Sequence, residues 1–473
     1  MPLPDVMKRY TCLSLALVSL AAAASVSAAR PQYGGTLRAE VDAALTTLDP
    51  AAPGPGDAQE ASRARVASLV FEPLTTIEPE GLRPLLASSW QTDARGARWR
   101  FQLRSGVVLH DGSTLQPWQA AASLRAIEPS WKVAAEGDAI AIDAGEPIAD
   151  LPWALADARH AIVVHGAGGA LIGTGPFRID HVDPSRIVLK AHESHWRARP
   201  FVDAVQIETN RRLDAQIADL EGGRADVVGV RAIDARRLTR RGLRVDATRP
   251  LELVALVFEP QRAADAAIAW RRTVAATINR DAMCAVVLQD QAAPARTVLP
   301  GWLSGYARAI AIGDGATLSR TAVAALPIEQ RTMTVRVDPA DPVAQAIADR
   351  LAVDARESGF TVKVQAPVGL APRPDARIVR VAAPATTPDR AFAQMAERLA
   401  GRGAPAAAAP TGAALDATFR AEQALLDRVV VVPIVHVPEL YGIGERVGAP
   451  VTPVARPLGG WDLANAWLQG ARP

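Results

Sequence analysis

Apolar residues along this chain recur with two periods, and the order in which the periods alternate predicts its elements. Trp99, Phe101 and Leu103 alternate with polar residues ahead of Asp111-Gly112, which predicts a hairpin with one buried face. "RIVLKAHE", "DAVQIET", "LELVALVFE" and the apolar "VVVVPIVHV" read as further strands. Elsewhere the period becomes helical. "ASRARVASLVFEPL" puts Ala64, Ala67, Ser68 and Phe71 on one face, and "QPWQAAASLRAI", "DAAIAWRRTVAATIN" and the stretch from Leu415 to Leu426 behave alike. "MTVRV", "DPVAQAIADRLAVDARESG" and "FTVKVQ" predict a βαβ unit. Its helix is capped by Asp341, opened by Pro342, buried along Val343, Ile347 and Leu351, and stopped by Gly359. Asp281 reads as the cap of "AMCAVVL". No repeat of solenoid length is present, so the chain is mixed α/β.

"GTGPFRI", Gly173 to Ile179, has the glycines of a phosphate-binding loop but not its chemistry. No lysine follows, Pro176 removes a backbone donor, and the apolar alternation after it is that of a strand. It reads as a turn entering a strand. Composition removes other classes. The 473 residues exceed one core, so two or three lobes are expected. The 52 basic residues balance 50 acidic ones, only four of the basic residues are lysine, and no basic block occurs, so no nucleic-acid partner is expected. Lys8 and Arg9, the apolar "LSLALVSLAAAASV" and the exit "VSAAR" predict a cleaved signal peptide over 1–28 and a soluble periplasmic product. That product keeps one cysteine, Cys284, so no internal disulfide is available.

The search for catalytic groups leaves little. "HESH" (His192 to His195) offers two imidazoles without a companion cluster, "GWLSG" has its serine one place off a nucleophile elbow, and His110 reads as a turn residue. No catalytic residue, metal or cofactor is expected.

The order of segments resembles the family 5 extracellular solute-binding proteins of ABC transporters, the dipeptide-, oligopeptide- and nickel-binding proteins and their relatives. The matching pieces are "YGGTLRAEVDAALTTLDP", the run from "VASLVFEPL" through "LHDGSTL", "GTGPFRI", "VLKAHESHWRARPFVDAVQI", "QIADLEGGRADVV", "AWRRTVAATINRDAM" and "VLPGWLSGY". The resemblance implies a two-lobed periplasmic binding protein fold (type II, cluster C-like). Lobe I would combine 30–55, 170–248 and 450–473, a small subdomain of 56–169 would be inserted in it, and lobe II would be 249–449. In that family "GTGPF" is structural, the strands between the lobes make the hinge, and closure buries the ligand. The implied partners are a small-molecule or peptide ligand and a transporter permease, with the protein a monomer. Use of the fold as a non-transport sensor, or as a degenerate paralogue, is the alternative.

Lobe II departs from the family pattern. The W-x-x-D-Y-like segment, whose aspartate can hold a peptide ammonium, is replaced after "ARIVRV" by "AAPATTPD", and the segment that follows is "GRGAPAAAAPTG". Lobe II is therefore expected to be shortened at the ligand wall. The expected wall is Thr46, Thr47, Gly54, Asp57, Trp118, Phe258, Glu259, Arg380 and Asp389. With the aspartate missing, di- and tripeptides should bind weakly, and Arg380 is expected to hold an anionic group instead.

Overall fold

The computed structural model describes residues 31–52, 57–78, 81–148, 150–306, 316–365, 373–383, 387–401, 404, 415–448 and 460–470, without the side chains of 57, 58 and 316–319. The expected signal peptide, Gly54 and most of 401–414 lie outside them.

An 11-stranded sheet runs through the molecule. At one end Thr36–Glu40 lies parallel to Ala204–Glu208, which pairs antiparallel with Arg186–Ala191, itself paired with Phe177–Val182. At the other end Thr332–Arg336 lies parallel to both Thr361–Gln365 and Ala376–Ala382. Two long strands, Arg244–Phe258 and Val431–Ile443, connect these ends by running antiparallel through both. Residues 440–443 pair with Val227–Val230 in the first half, and residues 252–258 pair with Ala376–Ala382 in the second.

Apolar burial follows this division only in part. One core gathers Leu37, Phe71, Phe177, Ile207, Tyr441 and Trp461 in the first half. A core around Leu299, Phe392 and Leu426 lies in the second, and another runs along the sheet from Ile217, Val228 and Leu238 to Phe258, Trp270 and Phe360. A fourth, around Phe101, Leu124 and Ile142, belongs to a separate four-stranded sheet with its own helix, Pro117–Ile127. Val66 to Phe71 pack into the first of these cores, not the fourth, and Tyr441 to Val447 join it ahead of residue 450.

Most expected elements form where the periodicity puts them. Asp341 caps Pro342–Glu357 by accepting from the N–H groups of Val343 (3.1 Å) and Ala344 (3.0 Å). One cap is corrected. Asn279, not Asp281, accepts from the Ala282 N–H (3.0 Å), because the chain already turns at Arg280–Ala282 before a π-turn over Met283–Val287. The stripe expected on Asp57–Ala67 is also rotated. Ala67 and Phe71 are buried as expected, but Ala64 and Ser68 are half-exposed, and Ser62, Arg63, Val66, Leu69 and Val70 are buried besides.

The segment "GTGPF" is a junction. Gly173 and Gly175 pass so close to Val70 that a β-carbon on either would lie 2.1 Å and 2.6 Å from the Val70 carbonyl oxygen. The Gly175 N–H donates to that oxygen (2.9 Å). Beside it the buried Glu72 carboxylate accepts from the Thr174 hydroxyl (2.8 Å) and the Trp196 indole N–H (2.8 Å), and pairs with His195 (3.4 Å). Burial works to raise the Glu72 pKa, but His195, Trp196 and Thr174 more than offset it and hold it below the usual carboxylate value. Replacing Glu72 with alanine leaves buried donors without an acceptor. We expect Glu72→Ala to lower the unfolding free energy by about 3 kcal/mol, read from urea melts at pH 7.

Two imidazoles set the acid side of the stability curve. Burial pushes the pKa of His110 and of His436 down to about 4, against the opposing effect of the Gly175 and Val298 carbonyls that they face. Below the ordinary histidine pKa the unfolded chain takes up protons that the folded chain refuses, so stability falls as pH drops from about 6.5 to 4. Urea midpoints across this window should fall steadily, and less steeply for His436→Gln. A midpoint independent of pH would contradict this.

Candidate functional site

The main concavity lies where the sheet passes from one half to the other, a cleft of about 1050 Å³. Its floor is the crossing strands themselves. Pro250 stands opposite Pro438, with register breaks on either side of Pro250. Neither proline can donate to the ladder, so pairing is weakest at this level. Thr248 spans the gap, its hydroxyl oxygen accepting from the Glu439 N–H (2.9 Å).

The first wall comes from Glu40 to Asp42 at the end of the first strand, from the helix Asp57–Ala67, and from Gln216 and Arg231. Gln216 is locked, accepting from the Gly229 N–H (2.9 Å) and donating to the Arg211 carbonyl (2.7 Å). Glu40 is buried with Arg211 3.7 Å away. Burial and the Asp219 charge push its pKa up to about 7, against the pull of Arg211. The second wall is Glu252, Asp338, Asp341, Val343 and the strand Ile378 to Ala383.

Most basic groups in the cleft are paired. Arg65 faces Glu439 (3.3 Å) and lies over the rings of Tyr441 (5.2 Å) and Trp461 (5.8 Å). Burial alone would raise the Glu439 pKa, but Arg65 and the Tyr441 hydroxyl hold it low. Arg231 pairs with Asp214 (2.8 Å) and Asp234 (2.6 Å), and Arg159 with Glu128 (3.6 Å). Arg380 donates to Glu252 and lies 3.4 Å from Asp341. Arg398 is also engaged. Arg63 differs. It lines the cleft, is 6% exposed, and has no hydrogen-bond or ion-pair partner among the described residues.

Of the expected wall residues, Arg380 reaches the cleft, but with its charge already matched. Trp118 is corrected. It is 63% exposed, because the helix that carries it buries Ala120, Ala121 and Leu124 instead. Phe258 is corrected to the core, its ring edge-on to Trp270. Glu259 is corrected to an ion pair with Arg377 at a strand end. Thr46 is exposed, and Thr47 accepts from the Asp49 N–H (3.1 Å) in a turn. Asp389 starts the helix Pro388–Gly401, where its charge raises the pKa of Asp150 after burial has done so. None of these lines the cleft. Gly54 and the Asp57 side chain lie outside the described residues. His192 and His195, the possible metal pair, face the carbonyls of Gly175 (3.2 Å) and Ala198 (3.1 Å).

Sequence reasoning missed Arg63. The signal was its spacing from Val66, Ala67 and Val70, which places it in an apolar helical stripe. Abundant arginine obscured it.

Removing Arg380 leaves Glu252 and Asp341 facing each other without their shared cation. Arg380→Ala should therefore destabilise the protein at pH 7, and should do so less in a Glu252→Gln, Asp341→Asn background, where no carboxylate is left unpaired. Urea melts of the substitution in the two backgrounds decide the matter. An equal loss in both would mean that the ion pairs contribute nothing.

Comparison with known proteins agrees with this geometry. The family model described as "Bacterial extracellular solute-binding proteins, family 5 Middle" matches residues 81–389. An uncharacterized Bacillus subtilis protein, YhjP, is 30% identical over 152 residues, 29% of this chain and 26% of its own length. The HTH-type transcriptional regulator SgrR of Pectobacterium atrosepticum is 30% identical over 169 residues, 32% of this chain and 30% of its own length. The match thus spans under a third of either relative. Among solved structures, the ABC transporter substrate-binding protein CtaP of Listeria monocytogenes superposes with a TM-score of 0.76 at 15% identity, over 92% of this chain and all of that one.

Proposed function

Because the chain belongs to the bacterial extracellular solute-binding proteins of family 5, we propose that it captures a small solute in the cleft between its two lobes and delivers it to a transporter permease. The observation that carries this reading is a cleft whose floor is two shared strands weakened at Pro250 and Pro438. The lobes divide at residues 248–251 and near 438. Lobe I holds the strands around Thr36–Glu40, lobe II those around Ala376–Ala382, and the subdomain around Phe101 is inserted in lobe I. Such a protein needs no nucleophile or general base. Hydrogen bonds, aromatic faces and a few charges in a desolvated cleft suffice.

No helix among the described residues is long and apolar enough to cross a membrane. Together with the signal-like N-terminus this supports a periplasmic protein. A second reading is favoured by the similarity to SgrR, a transcriptional regulator by name. Capture would then be the input of a sensor rather than the first step of transport.

Both readings require ligand to favour the closed form. Small-angle scattering of the protein stripped of ligand, then of the same sample with its co-purified ligand restored, should show a smaller radius of gyration in the second. An unchanged radius at saturation would sink the capture mechanism. Uptake of that ligand by cells lacking the gene separates the readings, since transport predicts its loss and sensing predicts normal uptake.

A further inference from the structure

We propose that Arg63 is the ligand-anchoring cation of the cleft and that the solute it holds presents one anionic group, a carboxylate or a phosphate. The inference rests on the capture reading and adds the chemistry of what is captured. A guanidinium stays protonated in any protein environment, so it cannot escape burial by losing its charge. With no partner among the described residues, its open hydrogen-bonding positions face the cleft that it lines.

No carboxylate among the described residues pairs with it. Glu439 is shared by Arg65 and Tyr441, Glu252 and Asp341 share Arg380, Glu40 lies by Arg211, and Asp42 accepts from the Ser62 hydroxyl (3.2 Å). Arg63 stands on the helix Asp57–Ala67 at helical spacing from the buried Val66, Ala67 and Val70, and it lines the cleft where they do not. The fork of a guanidinium matches a carboxylate or phosphate through two parallel hydrogen bonds. Acidic groups elsewhere in the lining, Glu60 and Asp338 among them, disfavour a polyanion, so a single anionic end is the best match.

The test uses the full exported protein, unfolded and refolded free of ligand, with inorganic phosphate and butyrate as probes and butyramide as the uncharged control. Arg63→Met keeps length and apolar bulk without charge, and Arg63→Lys keeps the charge without the fork. Wild type should gain thermal stability with phosphate or with butyrate and not with butyramide, and the probe that works identifies the anion. Arg63→Met should bind the effective anion at least about tenfold more weakly, with Arg63→Lys between the two. A wild type insensitive to both anions, or an Arg63→Met variant that keeps the anion response, overturns the proposal. Scattering separates this outcome from failure of the capture reading. An anion response through Arg63 without compaction keeps the anion site and discards closure. Compaction with the co-purified ligand that survives Arg63→Met keeps closure and discards the anion site.

Discussion

Backbone N–H and C=O groups need partners once buried, and Arg244–Phe258 and Val431–Ile443 meet that need by pairing with each other on both sides of the cleft. A sheet that continues through two cores ties them together far more firmly than a linker would. It also fixes where they can move. Two of the three register breaks in this ladder flank Pro250, opposite Pro438, and the third falls between Val254 and Ala255, so bending is easiest at the opposed prolines. One apolar core runs along the sheet across the seam, from Ile217 and Val228 to Val335 and Phe360, so the seam is held on one face by packing as well as by the shared strands.

This constraint shapes the electrostatics of the cleft. Residues near the seam change their surroundings as the lobes move, and an unmatched charge there would favour one position over another. Most cleft arginines avoid that bias through partners on their own side. Arg231 pairs within its segment, and Arg380 binds two carboxylates of its own half. Arg65 and Glu439 join the helix to the floor, sandwiched with Tyr441 and Trp461. Arg63 lacks such an arrangement, and this sets it apart more than its location does.

The fold was largely legible in the sequence, and the site was not, for physical reasons. Strand alternation and the Asp341-Pro342 start of a helix are local signals, so the βαβ unit and most strands stand where periodicity placed them. Trp118 and Phe258 were misplaced because an aromatic residue in an apolar stretch suits a wall, a core or a surface alike. Glu259 and Arg380 were misread because nothing local reveals that Arg377 or Asp341 waits across the sheet. The same non-locality left the pairing of the two crossing strands unread, although both were legible as strands.

The Glu72 junction bears on the order of assembly. Its carboxylate meets Thr174 and His195 across sequence separations of 102 and 123 residues. Contacts that close loops of this size return nothing until the intervening chain, here the whole small subdomain, has been gathered in. The subdomain, with its own sheet and core, can organise first and carry the glycine turn to Val70 when it docks. The junction then acts as a late clasp. Its rupture opens the first lobe from the subdomain outward, so the lifetime of the folded chain, rather than the speed of its formation, depends on this buried carboxylate.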